Sequence, residues 1–466
     1  MSEALFWDSI PVAVYLVLLL WIGFKATRRQ ADEDEFLLGG RSLTIPAFVA
    51  TLVATWYGGI LGIGEFVYTS GLVAWLVMGV PYYLFALLFA LFLAGKIRQA
   101  DTVSIPDIMY RRYDRKTGLL SGIFIVFMTS PAPYILMLAV LLRYFFHLNL
   151  LTAIIISAFF SMVYVYWGGF RSVVQTDKLQ FFFMFAGFIV LFFFLVRIDS
   201  PVDMFRHLDA THRSLQGDLG WQNILVWFFI ASWTFVDPGF NQRCAAAGTP
   251  QVARKGIVLS VLFWFAFDTL TILSGLYAFV LLPDIEPLTA YPALANHVLP
   301  PFARGLFFVG LFATIMSTID SYTFLSAMGI GRDILYEFLP RKNEKESNGF
   351  VKLGLILTGV IAVIMAWQMP SIVELWYNLG SLFIPPLLLP ILGAYLRPFK
   401  IKPAVAFLMM SGSFVIGLFF FLWGNLHAVA GSVRYPFGVE PFFPAMIFSL
   451  LVFIAAKAFR HSTLRL

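Results

Sequence analysis

Long apolar stretches separated by short polar segments run through nearly the whole chain. A helix needs roughly 20 mostly apolar residues to cross a bilayer. By that criterion the chain contains thirteen candidate spans, numbered 1 to 13 in chain order. Their predicted limits are 8–25, 45–69, 73–95, 118–145, 150–167, 177–196, 221–240, 256–282, 303–331, 351–369, 372–396, 403–423 and 440–459.

The composition also favours a membrane protein. Apolar residues make up 60% of the chain and charged residues 12%, against roughly 45–50% and about 25% in soluble globular proteins. A soluble fold cannot bury so much apolar surface, because its exterior must face water. The sequence therefore predicts one all-α, polytopic membrane domain over residues 1–466. Its one cysteine, Cys244, excludes an intramolecular disulfide.

The distribution of Lys and Arg predicts an orientation. If the segment after span 1 is cytoplasmic and the sides alternate, all but six of the 32 basic residues fall inside the cell. The six outside are Arg143, Arg197, Arg206, Arg213, Arg304 and Arg434. The positive-inside rule then places the N-terminus outside and the C-terminus in the cytoplasm, and a bacterial inner membrane is the expected setting. The net charge of +6 thus reflects topology and requires no nucleic-acid partner.

Two spans contain helix-breaking residues near the middle of the membrane. Span 2 carries the pair Gly58-Gly59, and span 7 carries Asp237-Pro238-Gly239. Such steps loosen a helix, which a membrane tolerates only where the backbone lines a cavity or is covered by protein. If spans 2–6 and 7–11 are two repeats, the breaks occupy matching positions, which is typical of an inverted-repeat transporter with a midplane site. The alternative is that small residues only allow close helix packing.

Span 9 is the most polar of the thirteen. Thr314, Ser317 and Thr318 share one helix face, and Ser317, Asp320 and Ser321 repeat that spacing one step round. Hydroxyl and carboxylate oxygens suit a hard cation such as sodium, although Ser and Thr also bond back to the i−4 carbonyl without any further role. A mid-membrane carboxylate is costly and functional by default, which favours Asp320 as part of a cation site.

Other acidic residues also lie within spans. They are Asp177 at the predicted start of span 6, Asp237 in span 7, Asp268 in span 8 and Glu65 near the outer end of span 2. Arg243 is counted with the cytoplasmic segment after span 7, so these acids are expected to lack basic partners. They would then either bind cations or be protonated. Asp177 with Lys178 is alternatively a marker of the cytoplasmic interface.

Several motifs resemble those of the sodium/solute symporters, which include sodium-coupled transporters for sugars, proline, sialic acid, pantothenate and monocarboxylates. The resemblance runs from about Phe36 to Arg397. Its motifs are Gly39-Gly-Arg-Ser-Leu43, Tyr68-Thr-Ser-Gly-Leu72, Gly168-Gly-Phe-Arg-Ser-Val-Val-Gln-Thr-Asp-Lys-Leu-Gln180, Asp237-Pro-Gly-Phe-Asn-Gln-Arg243, Ser317-Thr-Ile-Asp-Ser321 and Leu375-Trp-Tyr-Asn-Leu-Gly-Ser381.

The resemblance implies a LeuT-like fold with a five-plus-five inverted repeat, spans 2–6 (45–196) and 7–11 (221–396). It also implies a sodium-coupled secondary active symporter that imports a small organic solute, such as an amino acid, carboxylate or sugar, by alternating access. Sodium is then the co-transported ion, and no organic cofactor is expected.

The family's common sodium site carries over to five residues. It would use the backbone carbonyls of Ala54, Tyr57 and Thr314 and the hydroxyls of Ser317 and Thr318. Some relatives have a second sodium site, which maps to Asp177, Ser317, Asp320 and Ser321. The position of Asp320 is usually a small hydroxyl or Ala, so the extra carboxylate either holds that sodium more tightly or binds a proton. The alternative function is therefore proton-coupled symport through Asp177 and Asp320.

No substrate carries over from the resemblance. The sodium/proline branch has an Asp where this chain has Trp56, and the polar residues of the sugar branch are not found at Gly58 to Leu61. A pocket between spans 2, 4, 7, 9 and 11 is expected. Its candidate residues are Trp56, Gly58, Gly59, Trp233, Asp237, Asn241 and Asn378. Each of them is alternatively a packing residue; buried Trp often needs only one partner.

Enzymatic function is the rival class, and we do not expect it. The chain has six His, none in a zinc-protease spacing, and it has neither a nucleophile elbow nor a phosphate-binding loop. The expected partners are a small-molecule solute and the lipid bilayer, with no nucleic acid and no obligate protein partner.

Overall fold

The computed structural model describes residues 3–26, 33–339, 344–368, 372–428 and 433–462. Within these ranges the protein is almost wholly helical, and the only β contact is an isolated parallel bridge between Leu43 and Ala247. The all-α prediction is therefore confirmed.

Eleven helices in the described part of the chain are long and apolar enough to cross a membrane. They are Phe6–Gly23, Ile45–Ser70, Trp75–Gln99, Arg115–Phe146, Gly169–Ile198, Trp221–Ala246, Pro250–Leu281, Ala303–Phe338, Ser347–Gln368, Ile372–Tyr395 and Pro403–Leu426. Two shorter apolar helices, Leu150–Phe160 and Phe442–Ala458, lie where spans 5 and 13 were predicted. Each of the thirteen predicted segments thus contains an apolar helix, although two of these helices are shorter than a full membrane crossing. The predicted last residue of span 10, at position 369, lies outside the described residues.

Short helices lie in the connections. They are Glu33–Leu38, Ile105–Arg112, Pro201–His207, Ala210–Arg213 and Ala290–Val298. Many helices begin at a side chain that accepts a hydrogen bond from the first turn, which satisfies a backbone N–H that has no partner within the helix. These capping residues include Ser104, Asp114, Asn149, Ser200, Asp209 and Thr249.

Spans 5 and 6 are separated by a sharp backbone change at Gly169, where φ is +56°. Only glycine adopts such a conformation readily, and a Cβ here would lie 2.7 Å from the carbonyl oxygen of Phe36. Span 6 accordingly begins near Gly169, about two turns before its predicted start at residue 177. This correction moves Asp177 from the end of a helix into its interior.

Both predicted breaks are present. Span 2 consists of Ile45–Trp56 and Ile60–Ser70, joined by a 3-10 turn over Tyr57–Gly59. Span 7 consists of Trp221–Ile230, Trp233–Val236 and Pro238–Ala246, so it is interrupted twice.

Spans 2 and 9 form the centre of the bundle. In each of these two spans, 89% of an 18-residue apolar stretch is buried inside the protein, whereas only 28% of the corresponding stretch is buried in spans 1 and 12. Peripheral helices expose Phe, Leu and Trp side chains to what would be lipid. The two most buried helices are the ones that carry the Gly58 break and the hydroxyl-rich face, so the bundle brings the predicted sodium ligands together at its core.

Candidate sodium site and aromatic cavity

The break in span 2 packs directly on span 9. A Cβ on Gly58 would lie 2.0 Å from Thr318 Oγ1 and 2.1 Å from Thr318 Cβ. Only a glycine permits this approach, because real Cβ atoms do not come so close to other heavy atoms. The Thr318 hydroxyl donates to the carbonyl oxygen of Thr55 at 2.5 Å. The 3-10 turn and the polar face of span 9 therefore meet side by side.

The other predicted sodium ligands surround this contact. Ala54, Tyr57, Thr314, Ser317 and Thr318 are all at most 2% exposed. The Thr314 hydroxyl donates to the carbonyl oxygen of Gly310, four residues earlier, which is the local bond expected of a helical Thr. The Ser317 hydroxyl instead donates to Asp177 Oδ1 at 2.5 Å, so its oxygen lone pairs stay available to a cation.

Asp177 lies in the core of the bundle and not at an exposed helix end. It is fully buried, accepts a hydrogen bond from Ser317 and accepts a second one from the hydroxyl of Thr51 on span 2. The neighbouring Lys178 is exposed. The carboxylate thus joins spans 2, 6 and 9.

Arg243 corrects the expectation that the acids lack basic partners. It is fully buried rather than in a cytoplasmic segment, and its Nη2 lies 3.7 Å from Asp177 Oδ2. The same nitrogen donates to Ser321 Oγ at 2.6 Å, Thr55 Oγ1 at 2.9 Å and Thr51 Oγ1 at 3.2 Å. The short helix Pro238–Ala246 that follows the break in span 7 carries the guanidinium inward.

Two further acids lie in the core, and a third lies nearer the surface. Asp268 on span 8 accepts hydrogen bonds from the hydroxyls of Tyr57, at 2.7 Å, and Tyr83. Asp320 is fully buried on span 9, one residue before Ser321. Glu65 is only partly buried near the outer end of span 2.

A cavity of about 100 Å³ lies beside the break in span 2. Its lining residues are mostly aromatic, and none of the described ones is charged. They are Trp56, Gly59, Ile63, Met78, Tyr82, Tyr134, Trp227, Ile230, Trp233, Tyr322 and Trp376. The rings also contact one another: the centroids of Trp56 and Tyr82 are 5.0 Å apart, and those of Tyr134 and Tyr322 are 5.3 Å apart.

Asp237 sits behind this aromatic wall. Its Oδ1 accepts from the backbone N–H of Phe240 at 2.8 Å and so caps the helix that carries Arg243. Its Oδ2 accepts from the indole N–H of Trp233 at 3.1 Å and from the hydroxyl of Tyr322 at 2.8 Å. One carboxyl group therefore fixes two rings of the cavity and lies directly behind them.

The structure places three of the seven predicted substrate residues in the described lining of the cavity. Trp56, Gly59 and Trp233 line the cavity, whereas Gly58, Asp237, Asn241 and Asn378 are not among its described lining. Gly58 packs on Thr318, Asp237 lies behind the wall, and Asn241 donates to the hydroxyl of Tyr395 at 3.1 Å.

Sequence reasoning missed most of the cavity's rings. Trp376 lies in the motif Leu375-Trp-Tyr, and Tyr322 directly follows Ser321. Both could therefore have been proposed as site residues from the sequence. Span 4 is also interrupted, between the helices Arg115–Met128 and Ala132–Phe146. Tyr134 follows this break at Ser130-Pro131 and was therefore recognisable as a residue beside a helix break. Tyr82 and Trp227 lie in ordinary apolar spans, where aromatic residues are too common to stand out.

Comparison with known proteins agrees with this architecture. A family profile described as the sodium:solute symporter family matches residues 36–396. The sodium/pantothenate symporter of Escherichia coli K12 is 25% identical over 97% of this chain and 96% of its own length. The high-affinity choline transporter 1 of Drosophila melanogaster is 26% identical over 78% of this chain and 62% of its own length. A sodium/proline symporter of Staphylococcus aureus is 23% identical over 96% of this chain and 91% of its own length.

Solved structures share the fold. A substrate-bound, outward-open sodium-coupled sialic acid symporter superposes with a TM-score of 0.79 at 19% identity, covering 97% of this chain and 96% of the other. A nucleobase-cation-symport-1 family transporter in a closed conformation gives a TM-score of 0.59 at 15% identity, covering 91% of this chain and 94% of the other. The LeuT-like architecture is thereby confirmed. With its family profile matched over most of its length, the chain belongs to the sodium:solute symporter family and is a sodium-coupled symporter of a small solute, embedded in a membrane.

Proposed function

We propose that the coupling sodium binds between spans 2 and 9. Its ligands are the backbone carbonyls of Ala54, Tyr57 and Thr314 and the hydroxyls of Ser317 and Thr318. The proposal is supported by the Gly58 contact, which brings the unwound part of span 2 against Thr318. It is also supported by the Ser317 hydroxyl, which donates to Asp177 and so turns its lone pairs away from that carboxylate.

We further propose that the solute is a small organic cation with a quaternary or tertiary ammonium group. The observation that carries this proposal is the aromatic cavity with Asp237 behind it. Ring faces attract cations through their quadrupole, Trp most strongly, and aromatic cages are the usual recognition device for quaternary ammonium groups. Asp237 adds carboxyl oxygens behind the wall, where they accept hydrogen bonds from Trp233 and Tyr322 and would attract a cation in the cavity.

An anionic solute fits this cavity poorly. Recognition of a carboxylate normally uses Arg or Lys, and none of the described lining residues is basic. The buried Arg243 is engaged by Asp177, Thr55 and Ser321. Although one relative is a sodium/pantothenate symporter, the wall of this cavity favours the chemistry of choline, the solute named for another relative.

Transport would follow alternating access, with the repeats 45–196 and 221–396 rocking about the site. The matching breaks in spans 2 and 7 support this division. The chain would act as a transporter without catalysing a reaction and without an obligate protein partner. Its setting would be a bacterial inner membrane, with the N-terminus outside and the C-terminus in the cytoplasm, as the positive-inside rule indicates.

A thermal-shift screen of the purified protein tests both proposals. Sodium should stabilise the protein relative to potassium at equal ionic strength, because a ligand that binds only the folded state raises its melting temperature. Choline and tetramethylammonium should add to that stabilisation. The neutral carbon isostere of choline, 3,3-dimethylbutan-1-ol, should not. Stabilisation by proline or pantothenate, with no response to either ammonium compound, would overturn the proposed solute class and leave the sodium site standing.

A further inference from the structure

Asp268 is a buried acid that belongs neither to the proposed sodium ligands nor to the described lining of the cavity. It lies within span 8, and 7% of its surface is exposed. A carboxyl group inside a membrane span is costly and functional by default. Its Oδ1 accepts a hydrogen bond from the hydroxyl of Tyr57 at 2.7 Å, and its Oδ2 accepts one from the hydroxyl of Tyr83. One carboxyl group therefore joins span 8 to spans 2 and 3.

Tyr57 occupies a particular place in span 2. It is the first residue of the 3-10 turn Tyr57–Gly59, and the two glycines that follow restrain the backbone least. Tyr57 thus supplies the one side chain of this turn. Its ψ is 10°, against about −42° in a regular α-helix. Because ψ sets the direction of the carbonyl group, the Tyr57 carbonyl is turned away from its helical orientation.

We infer that Asp268 is a positioning residue of the sodium site. It acts through the Tyr57 side chain, which it holds so that the carbonyl oxygen of the same residue faces the ion. The inference rests on the sodium site proposed above, because this carbonyl is one of the proposed ligands. A ligand that is already fixed in place binds more tightly, since the turn need not be ordered when the ion arrives.

Span 8 holds the Tyr57 side chain at its end and along its ring. The hydroxyl also bonds to the carbonyl oxygen of Trp264, one turn before Asp268, at 2.9 Å. The ring packs edge-on against Phe267, with the two centroids 4.5 Å apart, and the residue is 2% exposed. Three residues of one helix therefore fix the position of the turn in another.

A purely structural role for Asp268 is the alternative, and Tyr83 distinguishes the two roles. Its hydroxyl donates to the same carboxyl group, but it lies on span 3, which supplies none of the proposed sodium ligands. If Asp268 only held helices together, loss of either hydroxyl would affect sodium binding equally. If it positions Tyr57, loss of the Tyr57 hydroxyl should affect sodium binding far more.

Equilibrium binding of radioactive sodium to the purified full-length protein tests the inference, with the melting temperature as the measure of folding. Tyr57→Phe and Asp268→Ala should each weaken sodium binding by about 3- to 10-fold, the range equivalent to one hydrogen bond. Tyr83→Phe is the matched control and should stay within twofold of the wild type. Tyr57→Phe combined with Asp268→Ala should lose no more than the weaker-binding single variant, because both changes break the same bond.

Several outcomes would overturn the inference. One is a folded Tyr57→Phe or Asp268→Ala protein whose sodium affinity is within twofold of the wild type. Others are a Tyr83→Phe protein that loses as much affinity as Tyr57→Phe, and a double variant in which the two single losses multiply. If Asp268→Ala does not fold, the two tyrosine variants decide, since each retains the carboxyl group. A wild type that binds no sodium would instead overturn the proposed sodium site.

Discussion

Replacement of Gly58 by alanine tests whether the close contact between spans 2 and 9 builds the sodium site. The added methyl group would lie 2.0 Å from Thr318 Oγ1 and 2.1 Å from Thr318 Cβ. A change of rotamer moves the hydroxyl but cannot move Cβ, which is attached to the backbone. The two helices must therefore separate in Gly58→Ala.

The size of the effect follows from these distances. Ordinary contact begins at 3.4 Å, so the separation must be about 1.3 Å, the difference between 3.4 Å and 2.1 Å. Overpacking of this kind costs about 1–3 kcal/mol. If that cost falls on the sodium-bound geometry, sodium affinity drops by about 5- to 150-fold, since each 1.4 kcal/mol is tenfold. The ligands on span 2 and span 9 would no longer reach one ion together.

Two other glycines supply controls. A methyl group added at Gly349 would have no heavy atom within 4 Å, so Gly349→Ala should leave sodium binding unchanged. Gly59, next to Gly58, would place its methyl group 2.0 Å from Trp376 Cη2, a ring that lines the cavity. Gly59→Ala should therefore weaken solute binding more than sodium binding, the reverse of Gly58→Ala.

The assay is the sodium dissociation constant of each purified variant, with its melting temperature as the measure of folding. A folded Gly58→Ala protein whose sodium affinity lies within twofold of that of Gly349→Ala would refute the reasoning. The contact would then be a packing detail with no part in ion binding.

Other substitutions test the remaining parts of the site. Ser317→Ala with Thr318→Ala should abolish sodium-stimulated uptake at normal expression, because two oxygen ligands are lost; unchanged sodium dependence would contradict the assignment. Asp237→Asn should weaken choline binding about tenfold, which corresponds to about 1.4 kcal/mol, while sodium affinity stays the same. Equal losses of both would assign Asp237 a structural role only. Outside the membrane spans, the backbone N–H of His212 lowers the pKa of Asp209. Its charge therefore stabilises the fold above the unfolded pKa and stops doing so as pH falls through the folded value, so the difference in melting temperature between Asp209→Asn and wild type should shrink in acid and not grow.

Much of the fold was predictable because the bilayer imposes strict rules on sequence. A span needs a long apolar stretch, and helix breaks are tolerated only in protected places. These rules located an apolar helix in every predicted segment and identified the breaks at Gly58 and Pro238. The start of span 6 was misplaced, because the polar residues between Arg171 and Lys178 have the composition of a connecting loop, whereas they form the first turns of the helix.

The cavity was less predictable than the sodium site. A hydroxyl face on one helix is visible from i, i+3 and i+4 spacing, so Ser317 and Thr318 could be proposed from the sequence alone. An aromatic wall is built from single residues of several spans, and a chain with 52 Phe, 18 Tyr and 12 Trp offers too many candidates. Only the packing of spans 3, 4 and 11 against span 2 distinguishes Tyr82, Tyr134 and Trp376 from the rest.

The misplacement of Arg243 has a more specific cause. Positive charges near a helix end are normally cytoplasmic, and Arg243 lies six residues after Asp237 in a span whose end was predicted at residue 240. After the break at Asp237, the helix Pro238–Ala246 lies buried in the core. Its position brings the guanidinium of Arg243 to Asp177. A buried Asp requires a partner, so Asp177 and Arg243 explain each other once the helix is known to be broken. The break that indicates a transport site is therefore also the reason why the buried position of Arg243 could not be predicted from the sequence.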